Sequence, residues 1–229
     1  MRTGGVICRT PRFGAAWRPV SRDRNEGMNL MTNRPQKASV VKKRTVHTYT
    51  ELWHASGCVL KSGLKEPKGS SWQFLSSIML SAFAFEAYLN HMGQQNFTSW
   101  DGLDRLRTLD KFEFLREMFK ARFPDKKGDR PLQTIKRVFD FRNTIAHGKT
   151  DILQPRPESR DIDKYLDENL GESPVTEWEK LIKNSNFAKL VRTDVKEVLT
   201  ELHRVRPEPK EPLFSFGIGS HSAGIEREC

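Results

Sequence analysis

The sequence predicts an all-α protein: a helical bundle with a flexible N-terminal arm and a flexible C-terminal tail. From about residue 48 onward, apolar residues recur at the three- and four-residue steps that line one face of an α-helix. No segment shows the period-two alternation expected of a half-buried strand. Proline and glycine gather between the periodic stretches rather than inside them, as they do in connections. On this reading residues 1–44 are a basic, disordered arm, 45–205 the helical domain and 206–229 the tail.

The elements follow in chain order. Thr48 and Glu51 stand in capping-box spacing ahead of Leu52, Ala55 and Val59, which predicts a short opening helix. KSGLKEPKGS, residues 61–70, reads as a loop. The next stretch, SWQFLSSIMLSAFAFEAYLNHMG, is the strongest helix in the chain. Leu75, Met79, Ala82, Glu86 and Leu89 repeat on one stripe, and Gly93 is placed to end it. Asp110 and Glu113 suggest another capped start, followed by Phe112, Leu115, Met118 and Phe119 on one face. PDKKGDRP, residues 124–131, interrupts this pattern. PLQTIKRVFDFRNTIAHG then predicts a helix with Ile135, Val138, Phe139 and Ile145 on one side. Residues 148–173 read as an irregular crossing with one short turn near Ile162–Leu166. Ser173 and Pro174 have the order of an N-cap and first helical residue, and a helical pattern continues to about Val205, broken near KNSN, residues 183–186.

Composition narrows the function. The 229 residues suit one domain plus tails, or at most two small domains, and 36% hydrophobic content is enough for a core. The formal net charge of +10 is unevenly placed: residues 1–50 hold 11 of the 39 basic and 2 of the 29 acidic residues, leaving 28 against 27. The helical part is therefore nearly neutral, and bulk charge lends little support to nucleic-acid binding. VKKR, residues 41–44, reads as a solvated arm. Cys8, Cys58 and Cys229 are an odd number without a CxxC pair, which argues against a disulfide framework or a zinc site and fits a reducing cytoplasm. No apolar run approaches the roughly 20 residues of a membrane span. The arginine-rich start lacks an apolar h-region, so it reads as a disordered extension rather than a secretory signal, with a transit peptide as the alternative. Met28 and Met31 are each alternative starts. No cofactor and no metal are expected: His47, His54, His203 and His221 lack ligand spacing such as HExxH, and His91 precedes a helix-ending glycine, where a cation is ordinary. Trp72, Phe83, Phe85, Phe112, Phe119 and Phe139 fall at helical positions and are expected in the core.

Two ionisable residues stand out because each lies on an apolar stripe. Glu86 is one; Arg142, four residues after Val138 and three before Ile145, is the other. Either charge alone in a core would cost several kcal/mol, so the two helices are expected to pack antiparallel with these residues paired. Asn143 and His147 are four apart and stack on one face, whereas Arg142 and His147 are about 500° apart around an ideal helix. If the helix unwinds at Gly148, the His147 ring can swing toward the arginine. A neutral imidazole, with an ordinary pKa of about 6.5, can take the proton of a ribose 2′-hydroxyl, and an imidazolium can protonate the leaving oxygen. A guanidinium can stabilise the charge that builds on the phosphate, and Asn143 can hold the ring or the substrate. Acid and base roles together need two histidines, which a symmetric dimer supplies. The plain alternative for His147 is a helix C-terminal cation, worth about 0.3–1 kcal/mol. For Glu86 it is a structural ion pair.

RNTIAH, Arg142 to His147, resembles the RNxxxH signature of the HEPN superfamily (higher eukaryotes and prokaryotes nucleotide-binding). FEAYLN, Phe85 to Asn90, is similar to the family's earlier core helix, which often carries an acid. The resemblance spans roughly residues 45–205. It implies an all-α bundle that dimerises to form a composite RNA-cleaving cleft, with Arg142 and His147 catalytic, Asn143 the polar residue after the arginine and Glu86 in support. Many members are toxins or phage-defence effectors, so a separately encoded antitoxin or regulator is a further expected partner beside RNA and a second copy. Other members are silent binding modules, and a nucleotide- or metabolite-sensing bundle is a third possibility that the motif leaves open.

Overall fold

The computed structural model describes residues 38–124, 129–154, 173–207, 211–217 and 219–225. Among them are seven helices and two strands. They are β1 (Ala38–Arg44), α1 (Thr48–Lys65), α2 (Ser71–Asn96), α3 (Trp100–Leu103), α4 (Thr108–Met118), α5 (Leu132–Ala146), α6 (Glu177–Ile182), α7 (Asn186–Val205) and β2 (Gly219–Ile225). The chain forms two compact units, one from residues 46–217 and the other from the segments on either side. The protein is mostly helical, as expected, with one small sheet that was not expected.

That sheet is the described part of the outer unit. β1 and β2 pair antiparallel from Ala38 opposite Ile225 to Arg44 opposite Gly219. Residues 39–44 and 219–223 are all exposed. A ribbon that buries neither face imposes no apolar–polar alternation, which is why period two is missing from its sequence. The β-branched pair Val40–Val41 is the one local sign of extended backbone. VKKR thus lies in a strand, while residues 1–37 fall outside the described part.

In the helical unit α2 is central and packs against α1, α3, α4, α5, α6 and α7. Its buried residues, Phe74, Ser77, Ile78, Ser81, Ala82, Ala84, Phe85, Tyr88, Leu89, Met92 and Gly93, occupy most of its circumference. This is the pattern of a helix surrounded by others. The α1–α2 contact uses small residues. Ser56 Oγ donates to the Ser77 carbonyl at 2.9 Å and meets Ser81 Oγ at 2.7 Å, and Ser77 Oγ donates to the Ser56 carbonyl at 3.1 Å. These hydroxyls are buried but bonded, so their desolvation is offset. α7 closes the core with Val191, Val195, Val198, Leu199 and Leu202, each fully buried and each worth about 1.5–3 kcal/mol in removed apolar surface.

Several element boundaries differ from the sequence reading. α1 runs through Lys65, beyond the loop expected from residue 61, and Thr48 lies inside it. Its N-cap is His47, which makes no side-chain cap bond, so the Thr48–Glu51 box is absent. α4 starts at Thr108, two residues before Asp110, which instead pairs with Arg107 at 2.7 Å. The N-cap expected at Ser173 is instead Thr176, three residues later, and it forms a capping box: Thr176 Oγ1 accepts from the Glu179 N–H while the Glu179 carboxylate accepts from the Thr176 N–H. The break expected at 183–186 is present between α6 and α7. The short turn near Ile162–Leu166 lies outside the described residues. Met118 on α4 is 53% exposed, and among the aromatics expected in the core Trp72 is 67% and Phe83 40% exposed.

A tail was expected from residue 206, but residues 211–217 lie against the helices. The Ser215 carbonyl accepts from Thr50 Oγ1 at 3.1 Å and from His47 Nδ1 at 3.0 Å. Phe214 stacks on Trp53 with ring centroids 4.8 Å apart. The Arg192 guanidinium also lies over the Trp53 ring, 3.9 Å from its centroid.

Gly93 does not end α2, which continues to Asn96. It is there because the Trp100 indole lies against its backbone, where a Cβ would overlap the ring. Alanine ordinarily improves a helix interior by about 1 kcal/mol over glycine, but this overlap outweighs that gain. Gly93→Ala is expected to lower stability by about 1–3 kcal/mol in equilibrium urea unfolding. Gly102→Ala, which meets open space, should be neutral or stabilising.

Candidate functional site

The last two turns of α5 hold the candidate site. Ile135, Val138, Phe139 and Phe141 bury one side of the helix, and Ile145 is partly buried. This packing turns Arg142 toward α2. Its Nη2 donates to Glu86 Oε2 at 2.6 Å, and its Nη1 donates to Asn143 Oδ1 at 3.0 Å. The guanidinium also lies 5.8 Å from the Phe139 ring centroid. The side chains of Arg142 and Glu86 are 23% and 27% exposed, so the pair is shielded but open to solvent on one side. Arg142 Nε is buried without an acceptor. One arginine is thus fixed from two directions with donor capacity left over.

His147 is the C-cap of α5, with φ −115° and ψ 23°, and its N–H donates to the Asn143 carbonyl at 2.9 Å. Gly148 does not adopt the left-handed backbone expected of a glycine terminator. The His147 side chain is exposed, and among the described residues no side-chain hydrogen bond joins it to Arg142 or Asn143. The structure therefore brings together Glu86, Arg142 and Asn143. It leaves His147 at the helix end, its ring without a side-chain hydrogen bond among the described residues.

A second polar group was not singled out from the sequence. His47, Tyr49, Tyr88, His91, His203 and Arg206 come from segments far apart in the chain, and no short motif links them. His91 is not near a helix end; it lies within α2, 5.1 Å from the His47 ring and 4.9 Å from the Tyr49 ring. Tyr49 meets Tyr88 edge-on at 5.2 Å, and Tyr88 Oη lies 3.1 Å from His203 Nδ1. Burial, reinforced by His47 and Arg206, pushes His91 down to about 4. Burial also lowers His203 and raises Tyr49 and Tyr88. Among the described residues no group of three or more His, Cys, Asp or Glu is placed to hold a metal ion. No described helix is long and apolar enough to cross a membrane.

No protein-family model, curated protein or solved structure matches the chain.

Two tests follow from these geometries. A double-mutant cycle over Glu86→Ala and Arg142→Ala should return a coupling of about 1–2 kcal/mol in denaturant unfolding, since truncating one partner leaves the other shielded and unpaired. The second concerns pH. His91 binds a proton more readily in the unfolded chain, at about 6.5, than in the folded one, at about 4. Its contribution to stability is therefore full above the unfolded value and is lost as pH falls from about 6.5 toward 4. His203 is shifted in the same direction. The groups facing His91 are His47, Tyr49, Tyr88, His203, Arg206 and Glu211. In melts between pH 7 and 4, His91→Gln should remove about 1–2 kcal/mol of the acid-side loss, a figure reduced for partial solvent screening.

Proposed function

We propose that the protein is a metal-independent endoribonuclease of the HEPN type, working as a homodimer, with His147 as general acid/base and Arg142 stabilising the phosphate. The observation that carries this reading is the fixed guanidinium: Arg142, held by Glu86 and Asn143, sits five residues from an exposed imidazole at the end of the same helix. Glu86 orients Arg142 rather than touching substrate. Its carboxylate takes one Nη2 bond, Nε is buried, and the remaining N–H groups of Nη1 and Nη2 are left for an anionic oxygen. Asn143 supports Nη1 and lies in the turn below His147.

One imidazole performs one proton transfer at a time, so both halves of the reaction need a second copy. An exposed apolar stripe on α2 favours this. Trp72 and Phe83 are exposed eleven residues apart, with the half-buried Met79 between them, and Glu86 follows three residues after Phe83, so the stripe leads along one helix face to the Glu86–Arg142 pair. Pairing two such stripes would bring two α5 ends toward each other. As a toxin or defence effector, such an enzyme would be held in check by a separately encoded partner.

A second reading, a silent module that binds RNA or a protein, is favoured by a different observation: nothing among the described residues orients the His147 ring. The test separates the two. Total RNA incubated with the full chain in EDTA should be cleaved by the wild type. His147→Ala and Arg142→Ala, matched for melting temperature, should each lower the rate by about 10²–10⁴-fold. RNA bound but uncut by all three proteins would instead establish the second reading. A Trp72→Ser, Phe83→Ser variant that stays folded should lose both dimer mass in solution and cleavage.

A further inference from the structure

A cavity of about 390 Å³ opens beside the aromatic and histidine group, lined by Tyr49, His91, Gln95, Asn96, Arg206, Pro207 and Glu211. Its charge is unusual. Arg206 is only 7% exposed, yet no carboxylate lies within ion-pair distance of it among the described residues. Its bonds are long and neutral, 3.5 Å from Nη1 to Gln95 Oε1 and 3.3 Å from Nη2 to the Glu211 carbonyl, and its Nε has no acceptor. A buried guanidinium without a counter-ion is costly, and an arginine so placed is short of an anion.

The other lining groups fit one. His91 makes no hydrogen bond among the described residues, and burial keeps its ring neutral, so it retains an N–H to donate. Gln95 carries an amide on the same wall. The single acid in the lining, Glu211, accepts a hydrogen bond at its Oε2 from Ser215 Oγ at 3.0 Å. We propose that this cavity is a binding site for a small oxyanion, a phosphate or carboxylate group held by the Arg206 fork with His91 and Gln95 as neutral donors. The site is independent of the cleavage reading: it shares no side chain with Arg142, Asn143 or His147.

The experiment titrates the full chain with inorganic phosphate and, separately, with acetate, at constant ionic strength. The C2–H resonance of the His91 ring, assigned by its loss in His91→Gln, is followed alongside calorimetry. Saturable binding with a shift of that resonance is expected for at least one anion, and the arm that saturates identifies the group. Arg206→Lys keeps the charge but loses the fork, and should weaken binding on the order of tenfold. Arg206→Gln should abolish the saturable shift of the His91 resonance. Should either Arg206 variant fail to melt cooperatively, Gln95→Leu, which removes only a neutral donor, should still weaken binding. No saturation with either anion, an unmoved His91 resonance, or equal binding by wild type and folded Arg206→Gln would each overturn the proposal.

Discussion

A helix of 26 residues with apolar or small side chains on nearly every side must be surrounded, and six other helices meet α2 in this protein. That burial sets the terms for every polar group the helix carries. Ser77 and Ser81 are tolerated because they bond across to Ser56; Tyr88 reaches His203; Glu86, at the edge of the buried surface, meets Arg142. Each is a polar atom that would otherwise be stranded against apolar neighbours. The polar chemistry of the molecule is thus distributed by where α2 is covered and where it emerges.

Two regions of chemical interest hang on this one helix. Glu86 and His91 are five residues apart, about 7.5 Å along the axis and about 140° around it. The first looks to the end of α5 and the second to the cavity beside Arg206. A helix held on all sides keeps both orientations fixed without a loop having to supply rigidity. The Glu86–Arg142 pair does for α5 what the serine bonds do for α1: it selects one rotational setting of one helix against another.

The Glu86–Arg142 contact was legible in the sequence because a charge on an apolar stripe must find a partner, and these two carry opposite charge. The same reasoning applies to Lys111, four residues before Leu115, and to Asp194, three after Val191. Both are buried. Lys111 bonds Asn90 and Asp104, and Asp194 pairs with Arg130. Gly93 misled because glycine after a helical run signals a stop as readily as a close approach, and the reason for it, Trp100, lies on the following helix. Capping misled at α1 because the spacing of Thr48 and Glu51 is necessary for a box but does not fix which residue is half out of the helix. The strands were invisible because residues 39–44 and 219–223 are exposed, so neither face imposes a period. The cavity group was invisible because Tyr49, His91 and Arg206 meet only once three segments have folded.

The docking of residues 211–217 onto the first turns of α1 has a topological consequence. Ser215 bonded to His47 and Thr50, and Phe214 stacked on Trp53, bring the two ends of the helical unit, near residues 46 and 217, into each other's company. The path of the backbone through the unit is therefore almost a closed ring, and where it is cut matters little to the contacts that hold it. A version with those ends joined by a brief connector and the chain reopened at a solvent-facing bend would keep the same core, with the same helices in a rotated order.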